Sequence, residues 1–448
     1  MKMTISDDLR MIIENSYVLR TNEKTDDERD IQELVRDIFY EVKDLLNISM
    51  IDIICIDSFN KSSIVVTDCK NLKKYLIFDI HQLMILETFL ASYYKVGNVS
   101  VAGIVPLLFA EGMIIKRNYK EAFFFAQTLK LQRECEKKYP LEIFQQLPDW
   151  NSLSIEAREN LKEKMDAISY LCYIGHSSYF APFILLHELS HFLYDEYAIA
   201  EIEEISRLVE EYYNTLVLLD ESGRIINSNL ELKKSLTKLG ELIEKNPADY
   251  LTSKFMDSIE EEDIKEMYIT GCLAYNAKLA ENSNYTISRE KKKYIRECTC
   301  DVYALLKIVE MYMEKDSASE NVLPIILESA LFCIAFMGLL NSLDFAIEMG
   351  IETTIEDIEM PCAEMIDRFN IVGNILGKKM PNCKYILEEI QNNFWEEYRS
   401  YYEHFIDNCI SINEYKNENG IQADYEQEQN DINDHELFEK IMKIIDNI

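Results

Sequence analysis

Residues 187–191 read His187-Glu188-Leu189-Ser190-His191, the H-E-x-x-H pattern of zinc hydrolases. On a helix, positions i and i+4 lie on one face, so both imidazoles can reach one metal ion. Glu188 follows the first histidine directly and can take a proton from a metal-bound water. Since the chain has 6 His among 448 residues, a chance match is expected in about one such chain in a hundred. The motif therefore predicts a catalytic site with one Zn²⁺ per chain.

The residues around the motif predict a buried helix that carries the ligands on one polar edge. An apolar run at 181–186 leads into the motif, and Phe192 and Leu193 follow it. Pro182 suits the first turn of a helix, where its missing N–H is not needed. The alternative is an ordinary core helix with two hydrogen-bonded histidines. Two histidines at i and i+4 with a glutamate between them favour the metal site.

A catalytic zinc site needs a third protein ligand and an open position for water. Tyr194 and Tyr197 stand where a metzincin would have Gly and His, so that class is excluded. A Glu one helical turn before an Asp suits the role, because the Asp can orient a ligand imidazole. The pattern E-x-x-x-D occurs after the motif at 297–301 and at 403–407, and an acidic cluster at 260–263 is a further alternative.

The helix context favours the first of these pairs. Cys298 and Cys300 are small residues that would let this helix pack closely on the metal helix. We therefore expect Glu297 to be the third ligand and Asp301 to be the group behind it. Glu403 remains an alternative at this stage, as does the 260–263 cluster.

The H-E-x-x-H motif with the 297–301 pair and Ala304 resembles the gluzincin clan of zinc metallopeptidases. The E-x-x-x-D-x-x-A form is similar to two branches of that clan. The prenyl-protease-like group reads E-x-x-A-D-x-x-A, and the cytosolic ImmA/IrrE-type proteases of mobile elements read E-x-x-A-N-x-F-A. In this chain Cys300 replaces the usual Ala, which exchanges one small residue for another.

The resemblance implies hydrolysis of a peptide bond in a protein or peptide substrate. It implies that His187, His191 and Glu297 hold Zn²⁺, that Glu188 is the general base, and that Asp301 orients an imidazole. Bound zinc lowers the pKa of its water to about 7 and polarises the scissile carbonyl.

The group that stabilises the oxyanion is left open, with two candidates. His176 lies in a turn before the metal helix, where a simple helix-capping turn is the alternative interpretation. Arg368 follows Met360 and Pro361, which partly match an H-P segment followed by Arg in the prenyl-protease-like group.

The order of elements predicts an α+β fold, mostly α, with a small antiparallel sheet followed by a helical catalytic region. Short β-branched runs at 51–56, 63–67 and 75–80 are separated by short turns, which favours an antiparallel meander. Helical patterns dominate after His81. The resemblance implies a zincin-like fold in which a sheet edge binds extended substrate, and 63–67 and 75–80 are the candidate strands.

The distance between His191 and Glu297 is long for the clan and predicts a helical insertion. The predicted parts are an N-terminal helical region with the sheet at 1–150, a zinc-binding catalytic region at 151–346 with an insertion at about 196–288, a C-terminal helical region at 347–411, and an acidic linker with a short terminal helix at 412–448.

The composition indicates which partners and which cellular compartment are expected for this protein. The net charge of −34 disfavours binding to nucleic acid. The 11 cysteines form no C-x-x-C pair, and the first residues form no apolar signal segment, so a reducing, cytoplasmic location is expected. The apolar stretches 101–115 and 323–340 are expected to be core helices rather than membrane spans. The oligomeric state is not set by the sequence.

Two other functions remain open at the level of sequence. One is a highly specific toxin-like or phage-defence protease that cuts a single protein. The other is a non-catalytic interaction module stabilised by zinc. Glu188 argues against the second, because a purely structural site needs no general base.

Overall fold

A computed structural model describes residues 6–20, 26–70, 72–96, 99–138, 167–197, 199–216, 291–313, 319–349, 368–369, 371–381, 384–419 and 434–445. These residues are mostly helical and contain one three-stranded sheet. The predicted class, α+β and mostly α, is confirmed at this level.

The sheet consists of β1 (Ile51–Ile56), β2 (Ile64–Thr67) and β3 (Lys74–Asp79), in the order β1-β3-β2. β2 pairs antiparallel with β3, but β1 runs parallel to β3. The prediction of an antiparallel sheet is therefore wrong for the β1–β3 pair. The physical reason lies in burial: β3 is buried almost throughout and takes the centre, whereas β2, whose Ile64 is 50% exposed, takes an edge.

This order also decides which strand has a free edge. β3 is hydrogen-bonded to a neighbour on both sides, so the prediction that 75–80 adds a substrate strand is wrong. β2 pairs on one side only within this sheet, and it packs against the helix that carries the H-E-x-x-H motif.

Helices pack against this sheet and against one another. Their bounds are α1 (Asp7–Ser16), α2 (Asp26–Leu45), α3 (Ile80–Tyr93), α4 (Val101–Ile115), α5 (Tyr119–Lys138), α6 (Phe180–Glu196), α7 (Ala200–Leu216), α8 (Lys291–Met313), α9 (Ser319–Met349), α10 (Lys384–Asn419) and α11 (Asp434–Ile445), with further helical turns at 167–177 and 371–379. α10 continues to Asn419, into the segment predicted as a linker, and 420–433 lies outside the described residues.

Polar side chains set where several helices begin. Ser6 accepts a hydrogen bond from the backbone N–H of Leu9, and Ser100 caps α4 in the same way. Asp79 has two roles, because it ends β3 and caps α3 by accepting from the N–H of His81. The chain therefore passes from the central strand into α3 without a loop.

α9 is the central helix of the core, and α6 lies beside it. α9 packs against α3, α4, α6 and α10, and α6 also packs against α2, α3 and β2. Phe89, Phe332, Phe336, Phe394 and Tyr398 form a chain of ring contacts along α9. The motif-bearing helix is therefore held on several sides by rigid elements.

One helix in the described part of the chain is long and apolar enough to cross a membrane. It covers Val322–Asp344 within α9, and 72% of its apolar window is buried inside the structure. Such burial is typical of the core helix of a soluble protein, and the packing of α9 on four other helices accounts for its apolar composition.

The chain divides into two compact units. One comprises Met1–Ile202 with Glu297–Ile448, and the other comprises Glu203–Arg296. Within the second unit the structure describes 203–216 and 291–296, which are helical. Most of the predicted insertion at about 196–288, including the alternative ligand cluster 260–263, lies outside the described residues. The predicted domain boundaries stay predictions.

Candidate metal centre

α6 presents the motif in the way that its sequence predicts. The helix begins at Phe180 with Pro182 in its first turn, and its apolar residues are buried. The side chains of His187 and His191 are 14% and 15% exposed, so they lie at the rim of the core rather than inside it. Ser190, between them, donates its hydroxyl to the Leu186 carbonyl at 2.5 Å and takes no part in the cluster.

α8 brings Glu297 against the two imidazoles. The Nε2 atoms of His187 and His191 are 3.0 Å apart, and each lies 3.5 Å from one carboxylate oxygen of Glu297. Among the described residues, this is the one group of three His, Cys, Asp or Glu side chains placed to hold a metal ion. Glu403, the alternative third ligand, instead lies exposed on α10 and pairs with Arg399 at 2.8 Å.

The cluster is compact enough for its three side chains to hold one metal ion. Ligand atoms that bind Zn²⁺ at 2.0–2.2 Å lie roughly 3.3–3.6 Å from one another. The two Nε2 atoms, 3.0 Å apart, are slightly closer than this, and each lies 3.5 Å from a different oxygen of Glu297. One ligand atom from each residue lies within 4.8 Å of the other two, so the three side chains can reach one ion. The fourth position then remains for water, as a catalytic site requires. The N,N,O ligand set also suits other divalent transition metals, so geometry alone does not select zinc.

The hydrogen-bond partners of the two imidazoles also favour a cation at this position. His187 Nδ1 lies 2.9 Å from Asp301 Oδ1, in a bent contact, and His191 Nδ1 lies 3.2 Å from Cys300 Sγ. If each Nδ1 carries the proton of a neutral imidazole, both Nε2 atoms present lone pairs. Two lone pairs and the carboxylate of Glu297 then face one point, and such a set of acceptors is suited to a cation.

Asp301 is held by Arg368, which lies 67 residues further along the chain. The Nε and Nη2 of Arg368 both donate to Asp301 Oδ2, at 2.9 and 2.7 Å. Its Nη2 also lies 3.9 Å from Glu297 Oε2. These contacts fix the Asp301 carboxylate beside the His–His–Glu cluster. The role of Arg368 as a transition-state stabiliser stays a prediction.

The charged groups of the cluster shift one another's pKa values. Burial disfavours a charged His187, but contacts with Asp301 and Glu297 outweigh it and raise the pKa of His187 to about 10. Burial likewise disfavours the two carboxylates, but Arg368 and His187 hold the pKa of Asp301 below its usual value. The imidazoles, with Arg368, hold the pKa of Glu297 far below its usual value. Without a metal, a protonated His187 therefore supplies the positive charge at this point.

Glu188 and Tyr17 lie within electrostatic reach of each other. Burial, followed by the charges of Asp79 and Glu188, raises the pKa of Tyr17 to about 12 despite a hydrogen bond with Ser62. The phenol thus stays neutral at ordinary pH. Nothing in the local sequence of Tyr17 marks it, because its position depends on how α1 packs against the sheet.

His176 packs against α9. Its ring stacks on Tyr94 at 5.7 Å, its Nδ1 lies 3.2 Å from Ser329 Oγ, and its Nε2 lies 3.4 Å from Glu328. Burial lowers the pKa of His176 to about 4. None of these partners belongs to the His–His–Glu cluster, and its role as a transition-state stabiliser stays a prediction.

The sequence predicted Cys300 as a small residue on a packed helix face. Its contact with His191 was not predicted. A helical argument could have found it, since i+3 and i+4 from Glu297 lie on one face. Those positions are Cys300 and Asp301, and they contact His191 and His187 respectively.

Fold and site together define a mostly helical protein with a small mixed sheet and a His–His–Glu cluster that can hold a metal ion. No family model, curated protein or solved structure matches this chain. The resemblance to gluzincins therefore depends on the motif residues and the geometry of the cluster.

Proposed function

We propose that this protein is a zinc-dependent metallopeptidase with a zincin-like catalytic region. The observation that carries the proposal is the convergence of two imidazole Nε2 atoms and the Glu297 carboxylate, with separations of 3.0–3.5 Å. A glutamate follows the first ligand directly, as hydrolysis by an activated water requires.

In this mechanism His187, His191 and Glu297 would hold Zn²⁺. Bound zinc supplies a water of lowered pKa and polarises the substrate carbonyl. Glu188 is the base that would take a proton from the attacking water and give it to the leaving amine. Asp301 keeps a proton on the Nδ1 of His187, so that Nε2 faces the site as a lone pair.

Arg368 supports this arrangement from behind. Its two hydrogen bonds to Asp301 Oδ2 leave Oδ1 for His187, so the carboxylate cannot rotate without losing a partner. A guanidinium is suited to this role because its donors have a fixed planar geometry and it stays charged.

A free strand edge beside α6 supports a peptide as the substrate. β2 packs against α6 and has one edge that pairs with no strand of its sheet. An extended peptide substrate could pair with that edge through main-chain hydrogen bonds. It would then lie close to α6, the helix that carries the motif. Of the two strands predicted for this role, 63–67 keeps it in this proposal.

The same proposal includes a cytoplasmic location. Seven cysteines whose side chains the structure describes are outside disulfides: Cys55, Cys69, Cys172, Cys298, Cys300, Cys333 and Cys409. Buried thiols of this kind are usual where the compartment is reducing.

Metal content per chain is the first test, measured by inductively coupled plasma mass spectrometry after zinc is supplied and excess zinc removed. We expect a value near one for the parent chain and for Glu403→Ala, which changes the acid of the other E-x-x-x-D pair. Glu297→Ala should lower it to near zero. A value near zero for the parent would overturn the metal site.

Activity is tested separately, with labelled casein and a peptide library followed by mass spectrometry. Glu188→Gln keeps the three ligands and removes the base, so it should retain metal and lose cleavage by at least about a hundredfold. Full cleavage by that variant would contradict the mechanism, even where the metal content is one.

A further inference from the structure

The two residues Cys300 and Asp301 are adjacent on α8, and each faces the outer nitrogen of a different imidazole. Asp301 Oδ1 lies 2.9 Å from His187 Nδ1, and Cys300 Sγ lies 3.2 Å from His191 Nδ1. Both groups are almost fully buried, at 1% exposure each. α8 thus supplies one partner for each histidine as well as the ligand Glu297.

We propose that Cys300 is a positioning residue for His191, a role that rests on the metal site of the proposed function. Its sulfur accepts the Nδ1–H of His191 and so keeps the Nε2 lone pair directed at the metal. In the resembling families this position is Ala, which has no polar atom, so the thiol is a feature of this chain.

The direction of the hydrogen bond follows from the position of the cluster. The Nε2 of His191 lies 3.0 Å from the Nε2 of His187 and 3.5 Å from Glu297, so it is the nitrogen that faces the metal position. A neutral imidazole that ligates through Nε2 carries its proton on Nδ1. In that state the nitrogen can only donate to Cys300, and the sulfur must accept.

The two histidines then differ in the strength of the acceptor at Nδ1. His187 has a carboxylate partner that is itself fixed by Arg368, whereas His191 has a sulfur, which is a weaker acceptor. We expect the loss of the partner of His191 to have a smaller effect than the loss of a carboxylate. Outer partners of metal-bound histidines usually contribute 10- to 100-fold in metal affinity, so about tenfold is expected for Cys300.

The test compares Cys300→Ala, Cys300→Ser and Cys409→Ala. Cys409 lies on α10 and is fully buried, so its replacement repeats the chemical change at matched burial in another helix. The dissociation constant for Zn²⁺ is measured by competition with a chromophoric chelator. Cobalt-loaded protein gives a visible d–d spectrum that reports the ligand geometry.

We expect Cys300→Ala to raise the Zn²⁺ dissociation constant by about tenfold and to shift the cobalt spectrum. Cys300→Ser should restore most of the affinity, because its hydroxyl can also accept from Nδ1. Cys409→Ala should change neither. Thermal unfolding of the metal-free variants separates a general loss of packing from an effect on the ligand.

The inference is overturned if Cys300→Ala keeps the parent affinity within about twofold and the same cobalt spectrum, because outer partners contribute more than that. It is also overturned if Ser behaves like Ala, since the contact would then act through volume alone. A parent chain that binds no metal is a different result, which rejects the proposed function itself. A parent that binds metal while Cys300→Ala is unchanged rejects only the role of Cys300.

Discussion

Replacing Asp301 by Asn should destabilise the metal-free protein by about 3 kcal/mol. Asp301 is 1% exposed, and both of its neighbours approach it with donors. Arg368 donates twice to Oδ2, and the Nδ1 of His187 lies 2.9 Å from Oδ1. An amide has one acceptor oxygen and one donor nitrogen, so either orientation of the introduced side chain turns an N–H towards one of these two groups.

The magnitude follows from the charge that is left behind. Removal of one partner from a buried ion pair costs about 3–5 kcal/mol. Arg368 cannot lose its proton, and its side chain is 15% exposed, so solvent relieves little of this cost. Glu297, 3.9 Å from the guanidinium, still offers a negative charge, and His187 can become neutral. The lower end of the range is therefore expected.

Urea unfolding of chelator-treated protein, followed by circular dichroism, measures this effect as a shift of the midpoint at unchanged slope. The double variant Asp301→Asn with Arg368→Met removes the unpaired cation and should recover at least half of the loss. If Asp301→Asn lies within about 1 kcal/mol of the parent, below the range for buried pairs, the reasoning on buried charge is refuted. A double variant no more stable than the single one would refute it as well.

Further predictions concern buried groups away from the metal centre. Glu111→Gln removes a carboxylate 3.1 Å from the buried Lys61 and should cost about 3 kcal/mol in urea unfolding. Glu111→Leu with Lys61→Met should recover only part of it, because the buried His81, 2.9 Å from Glu111, still loses its carboxylate partner; an unchanged midpoint in the first variant would contradict this. Burial raises the pKa of Asp79 to about 6, so its contribution to stability is present below about pH 4 and is lost as the pH rises through about 6. Stability curves should be flatter over that window for Asp79→Asn, and a curve parallel to the parent's would count against the assignment. Burial lowers the pKa of His176 to about 4, so its contribution is full above about pH 6.5 and is lost as the pH falls through about 4; His176→Phe should remove that acid-side loss, which pH-dependent thermal unfolding can measure.

The members of the His–His–Glu cluster could be predicted because each lies in a short local pattern. The two histidines are related by one helical turn, and Glu297 and Asp301 are related in the same way, so helix periodicity alone places each pair on one face. No local pattern gives the approach of α8 to α6, which brings Glu297 to 3.5 Å from the Nε2 atoms of both histidines. The position of α6 depends on its packing against α9 and β2, which are distant in the sequence.

The strands were predictable in position but not in pairing. β-branched runs mark where strands form, since this preference is local. Which strand becomes the centre depends on how much of its surface the helices cover, and that is a property of the whole core. β3 is covered almost completely and β2 is not, so β3 separates two strands that are consecutive in the sequence.

Arg368 shows why the roles of single charged residues are harder to predict than their presence near a site. Arg368 was predicted as a candidate transition-state stabiliser, which stays a prediction, and the structure adds two hydrogen bonds from its guanidinium to Asp301. The contacts from Arg368 through Asp301 to His187 make the orientation of this imidazole depend on a residue far along the chain. Since α8 carries Glu297, Cys300 and Asp301 together, a small displacement of this helix from α6 would remove one ligand and both orienting groups at once. Metal binding and the docking of these two helices are therefore expected to be coupled, and bound metal should raise the midpoint of thermal unfolding.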